Sequence, residues 1–119
     1  ENALMLWSNP ADGNVVSMLN PRIFADFIGG DIEWVEATQT VTFSGPDSNG
    51  SPVTVVLQVG SNTATINGVT HDIASFSGSG PANSVSTIIS ADRTFVPLRF
   101  LANAFLLPIS FDHGTVVLG

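Results

Sequence analysis

The sequence predicts an α+β fold, a β-dominated single domain, and three observations carry that expectation. A helix-plus-hairpin pattern occurs twice, a central run alternates apolar and polar residues, and an Asn-Gly pair sits between two strand-like segments. The two copies of the pattern are expected to pack on a shared antiparallel sheet. The chain divides into an N-terminal strand or extension (1–19), a first repeat (20–44), central hairpins (53–73) and a second repeat (85–119), all within one domain spanning 1–119.

The first repeat opens with Asn20-Pro21, a helix N-cap followed by a residue suited to the first turn. Gly29-Gly30 stops that helix, and Ile32 to Phe43 continues as a hairpin. The second repeat follows at an offset of 77 residues: Arg22 matches Arg99, Ala25 matches Ala102, Ile32 matches Ile109 and Trp34 matches Phe111. Within it Leu98, Leu101, Ala102 and Phe105 fall at i, i+3, i+4 and i+7, one apolar stripe, and Pro108 is expected to end the helix. Helices this short need a sheet to pack against.

Between the repeats Val53, Val55, Leu57 and Val59 alternate with Thr54, Val56 and Gln58, a strand buried on one face. Pro46 to Pro52 reads as a hairpin loop, and Asn67-Gly68 as the turn between Thr63–Ile66 and Val69–Ile73. Ser77 to Ser84, rich in Ser and Gly, reads as a flexible surface loop. The expected core is Phe24, Phe27, Ile32, Trp34, Val41, Leu57, Val59, Ile66, Val96, Leu98, Leu101, Phe105, Ile109 and Val116.

Ten acids face three arginines and no lysine, a net charge of −7. That balance opposes nucleic acid and anionic membrane surfaces, because both are bound chiefly through cations. Without lysine there is no Schiff base, P-loop or Lys isopeptide chemistry. Without cysteine there is no disulfide, thiolate metal site or thiol nucleophile. The longest apolar run, Ala3-Leu4-Met5-Leu6-Trp7, is five residues and too short to cross a bilayer, so no membrane insertion is expected. The chain opens on Glu1, as one that has lost a leader would, which fits a secreted, cell-surface protein.

Arg93-Thr94-Phe95-Val96-Pro97-Leu98-Arg99-Phe100-Leu101-Ala102 resembles the motif of the copper amine oxidase N-terminal-like domain family. Gln39 to Phe43 and Val59 to Gly68 look like the strand and hairpin that accompany it, so the likeness covers roughly residues 20 to 119. The resemblance implies a small α+β module, repeated in secreted and cell-wall proteins of Gram-positive-type bacteria and distinct from the oxidase centre. It singles out Arg22, Trp34, Arg93, Pro97 and Arg99 as motif residues with a structural role. Three features depart from it: the long Ser77 to Ser84 segment, Leu106-Leu107-Pro108 where a glycine usually ends the helix, and the first eighteen residues.

Catalysis finds little support in the residues. Oxidase chemistry needs three histidine ligands and a tyrosine-derived quinone, whereas this chain has two histidines and no tyrosine. His71-Asp72 and Asp112-His113 invite a metal reading, but neighbours on a strand point to opposite faces, and no cofactor is expected. Asp26, Asp31, Glu33 and Glu36 could supply a carboxylate pair, yet no aromatic cleft accompanies them. Arg22 and Arg99 stand near helix N-termini, where the helix dipole disfavours a cation. Each therefore calls for a specific partner, a fold-holding contact first and a ligand second.

Two functions follow as expectations. The first is a non-catalytic surface protein that assembles with copies of itself, Ala3, Leu4, Met5, Leu6 and Trp7 adding as a strand to a neighbour's sheet edge. The second is an accessory module that binds cell-wall glycan or peptide, with Trp7 as the exposed aromatic.

Overall fold

A computed structural model describes residues 4–90, 92–112 and 115–118, with 109–112 and 115–118 described in backbone only. The architecture is α+β with antiparallel pairing throughout the named strands, and the single sheet expected from the repeat does not form. A five-stranded sheet, a four-stranded sheet and a two-stranded ribbon take its place.

The four-stranded sheet begins with the hairpin of β1 (Leu4–Ser8) and β2 (Val15–Leu19), paired from Leu4↔Leu19 to Ser8↔Val15. Its turn is fixed by Asn9, which is fully buried. Asn9 Nδ2 donates to the Ser79 carbonyl (3.3 Å) and to Ser84 Oγ (2.9 Å), while Asn9 Oδ1 accepts from the Ala11 N–H (2.9 Å). Ser77 and Ser79 are buried and their hydroxyls share a 2.7 Å hydrogen bond. The segment 77–84 is thus held on a buried polar anchor and is not the flexible loop its composition suggests. Unpaired amides are costly inside a protein, and here the amide's partners lie about seventy residues along the chain.

Helix α1 (Pro21–Ile28) forms as expected: Asn20 Oδ1 accepts from the Arg22 N–H, and Gly29 takes the left-handed conformation at the far end. Phe24 and Ala25 face the core, with Ile28 packed against it, whereas Phe27 turns outward and is 50% exposed, a correction to the expected core. The five-stranded sheet follows in chain order: β3 (Asp31–Val35), β4 (Thr40–Pro46), β5 (Pro52–Gln58), β6 (Thr63–Ile66) and β7 (Val69–Asp72). Gly30 permits the entry into β3, since a Cβ there would lie 3.1 Å from Gly45 Cα and meet the Ser44 carbonyl. The Asn67-Gly68 turn has both φ angles positive, as a two-residue hairpin with the strands' own twist requires. Val53, Val55 and Leu57 are buried as the alternation predicts, but Val59 and Ile66 are only half-buried.

A short helix that the sequence reading missed, α2 (Ile73–Ser77), follows β7 directly. At five residues it is too brief to show a helical period, although Asp72 before it is a proper N-cap. Burial pushes the Asp72 carboxyl pKa up, but the combined hydrogen bonds from the N–H groups of Ser75, Asn83 and Ala74 and from the Ser75 side chain outweigh it and hold the carboxyl below its ordinary value.

β8 (Ile88–Ser90) and β9 (Arg93–Pro97) complete the four-stranded sheet, with β9 lying between β8 and β2. The contact with β2 is brief, Met18↔Pro97 and Leu19↔Val96. Helix α3 (Leu98–Ala104) then packs on α2, where the Phe76 and Phe100 rings meet at 5.2 Å. The core centres on Phe24, whose ring lies 5.7 Å from Phe43 of β4 and 5.6 Å from Phe105 at the end of α3. The chain closes with the ribbon of β10 (Ile109–Asp112) and β11 (Thr115–Leu118). The side chains of Ile109 and Val116, two expected core residues, lie outside the described set.

Helix α3 ends at Ala104, before Pro108, so the proline does not stop it. The stop is a backbone motif: the Leu106 N–H donates to the Asn103 carbonyl (3.2 Å) and the Leu107 N–H to the Ala102 carbonyl (2.7 Å). α1 ends the same way, with Gly29 donating to Asp26 and Gly30 to Ala25. Leu106 therefore occupies, at φ +57°, the left-handed position that Gly29 fills in α1. A non-glycine residue pays for that conformation in steric strain. With Leu106 51% exposed, little packing is lost by truncating it. Leu106→Gly is expected to stabilise the domain by about 1 kcal/mol, read as a higher denaturant midpoint at unchanged slope. An unchanged or lower midpoint would show that the leucine side chain contributes more than its backbone costs.

Candidate functional site

The register of the β2–β9 contact decides which side chains meet. Leu19 opposes Val96, and beyond Leu19 the chain turns into Asn20, Pro21 and the start of α1. Continued past that point, the antiparallel run brings the head of α1 beside Thr94 and Arg93 at the start of β9. On the other side, α1 leads through Gly29-Gly30 into β3, whose Ile32 and Trp34 lie on one face because strand residues alternate. Trp34 opposes Val41, which is buried, so Trp34 sits at the end of the core face where α1 no longer covers it.

The result is a groove of about 400 Å³ lined by Asn20, Pro21, Arg22, Ile32, Trp34, Val41, Arg93 and Thr94. Its floor is apolar (Ile32, Val41 and the Trp34 ring) and two exposed guanidinium groups stand at its rim. Among the described residues neither the Arg22 nor the Arg93 guanidinium has a hydrogen-bond or ionic partner. Trp34 is 38% exposed, and its Nε1–H donates to Glu36 Oε1 at 2.7 Å. That bond ties the indole edge and leaves the ring face as the contact surface. The site can hold an amphipathic ligand: a ring or apolar body against Trp34 and Ile32, and an acidic group between the arginines.

Arg22, Trp34 and Arg93 are among the expected structural motif residues, and the structure brings these three together around one groove. The other two motif residues lie elsewhere. Pro97 is buried in the β2–β9 contact and precedes α3 as its N-cap residue. Arg99 lines a separate, smaller hollow of about 230 Å³ with Asn14, Ser17, Ser77 and Ser79. Trp34 was also expected in the core, and its partial exposure corrects that. Trp7, the aromatic expected to meet a ligand, is packed with Leu4 and Met5 against the core, whereas Leu6 faces outward. Ala3 lies outside the described residues.

Of the residues weighed for metal or catalytic chemistry, His71, Asp72 and Glu36 have other contacts. The His71 ring packs against Phe76 at 4.8 Å, the two rings tilted by 50°, and Asp72 caps α2. Asp112 lies in β10, and His113 falls outside the described residues. Asp26, Asp31 and Glu33 are exposed, and Glu36 holds the Trp34 indole. No group of three or more metal-ligating side chains occurs among the described residues.

A family model for the copper amine oxidase N-terminal domain matches residues 9–118, nearly the whole chain. Neither a search of curated proteins nor one of solved structures finds a match. The match describes a module separate from the catalytic part of an amine oxidase. It also spans Asn9 to Leu19, the part of the hairpin that sequence reading left unassigned.

Proposed function

The chain belongs to the copper amine oxidase N-terminal domain family, a non-catalytic module, and from that premise we propose that it is a cell-surface binding module whose α1–β3–β9 groove engages a cell-wall polymer. The observation that carries this reading is the pairing of two partnerless arginines with a half-exposed tryptophan. These are two of only three basic residues in a chain of net charge −7. A protein with so few cations that sets two of them, without acid partners, on the rim of one apolar groove has a recognition surface by the ordinary logic of binding sites. The secreted setting is part of the proposal, consistent with a lysine-free composition rich in Ser, Thr, Asn and Gly.

Retention on purified, insoluble bacterial wall polymer tests it. The wild-type chain is expected to sediment with the polymer, and Trp34→Ala to lose that retention while melting at a similar temperature. A protein that stays in solution, or a Trp34→Ala variant retained as well as wild type, would contradict the reading.

Self-assembly is the second reading, and the structure alters its form. Residues 4–8 pair along their length with the chain's own β2, so a donated N-terminal strand would first have to leave its sheet. What favours assembly is that β1 is an edge strand, with Leu6 64% exposed and Val15 across the hairpin similarly open. Light scattering on the full chain should show growth that Leu6→Lys abolishes. A monomer at all concentrations would remove this reading.

A further inference from the structure

We propose that the groove between α1, β3 and β9 is selective for a carboxylate-bearing sugar, the carboxylate held between Arg22 and Arg93 and the ring laid on Trp34. This deepens the binding-module reading and rests on it.

Three features of the groove point to that ligand class. The first is the donor set. A guanidinium presents its N–H groups in a flat fork that matches a planar carboxylate, and both Arg22 and Arg93 keep their forks free among the described residues. The second is the floor. Trp34 is oriented by its bond to Glu36, so its ring face is available, and the electron-rich face of an indole attracts the electropositive C–H face of a pyranose. The Asn20 and Thr94 side chains at the rim can meet ring hydroxyls. The third is the field of the whole molecule. At a net charge of −7 a densely charged polyanion is repelled at long range, whereas a ligand carrying one or two charges is matched by two local cations. A groove of about 400 Å³ lies in the range of small-ligand sites and suits a short stretch of sugar.

The charge at the site also has an opposing member. Glu36 stands at the indole edge, so an acidic group is favoured on the arginine side of the ring and disfavoured on the Glu36 side. The ligand's carboxylate must then point toward α1 and β9, and that orientation distinguishes an acidic sugar from a neutral one, which could lie either way.

Titration with trigalacturonic acid, followed by the fluorescence of Trp34 in a Trp7→Phe background, tests this. The expected result is saturable binding that weakens as salt is added and falls roughly ten-fold or more in Arg22→Gln and in Arg93→Gln, the loss of a charge-assisted contact. The fully methyl-esterified trimer should bind at least ten-fold more weakly than the acid. Both arginines are exposed, and matching thermal melts would confirm that the variants are folded. Equal binding of acid and ester would overturn the carboxylate inference and leave the binding module standing. Displacement by inorganic phosphate as strong as by the sugar acid would also overturn it, in favour of a general oxyanion site. Binding only of a short peptide with a free C-terminus would overturn the sugar. Failure of any of these probes to bind, in a protein that does not sediment with wall polymer either, would overturn both.

Discussion

The contact between β2 and β9 is the constraint from which the rest follows. Two residue pairs, Met18↔Pro97 and Leu19↔Val96, join strands about eighty residues apart in sequence. Met18 and Val96 have no exposed surface, so the seam is fixed by burial as much as by its hydrogen bonds. It brings the head of α1 against β9 and thereby sets Arg22 beside Arg93. Both faces of the seam are buried, since the adjacent residues Met18 and Leu19 on β2 and Val96 and Pro97 on β9 all lie inside, so even so short a contact is held from two sides.

A second long-range contact supports the first. Phe24 of α1 is wedged between Phe43 of the five-stranded sheet and Phe105 at the end of α3, so the helix is held from both halves of the chain. The Ser48 N–H donates to the Phe105 carbonyl at 3.0 Å, tying the β4–β5 loop to the same point. With α1 clamped this way, the Trp34 end of β3 is left uncovered, and the groove is the gap between a fixed helix and a longer sheet. The aromatic cluster and the seam together join the two halves of the chain.

The elements whose signals are local were legible in the sequence. Asn20-Pro21 and Gly29 bound α1 where the structure does, Asn67-Gly68 makes the expected turn, and the alternating valines bury the expected face of β5. What escaped depends on distant partners. The 77–84 segment is anchored by Asn9, which donates to the Ser79 carbonyl and to Ser84 Oγ from about seventy residues away, and no local pattern reveals that. Leu106 takes the place of a capping glycine because the backbone motif, not the residue type, ends α3. Trp34 read as core because an aromatic in alternation with Ile32 normally is, and only the extent of α1 shows that its cover runs out. The site was legible as residues and not as a place: Arg22, Trp34 and Arg93 were each marked, but the seam that gathers them is a tertiary fact.

As a binding module, the domain would meet a wall polymer at this gathered surface and at no other. Backbone amide shifts of the labelled protein, followed by NMR while soluble fragments of bacterial wall polymer are added, test it most directly. Saturable shifts are expected at Arg22, Ile32, Trp34, Arg93 and Thr94, with β6 and β7 unmoved. Shifts confined to the β1 edge around Leu6, or to the Arg99 hollow, would contradict it and move the function of the domain to a different face.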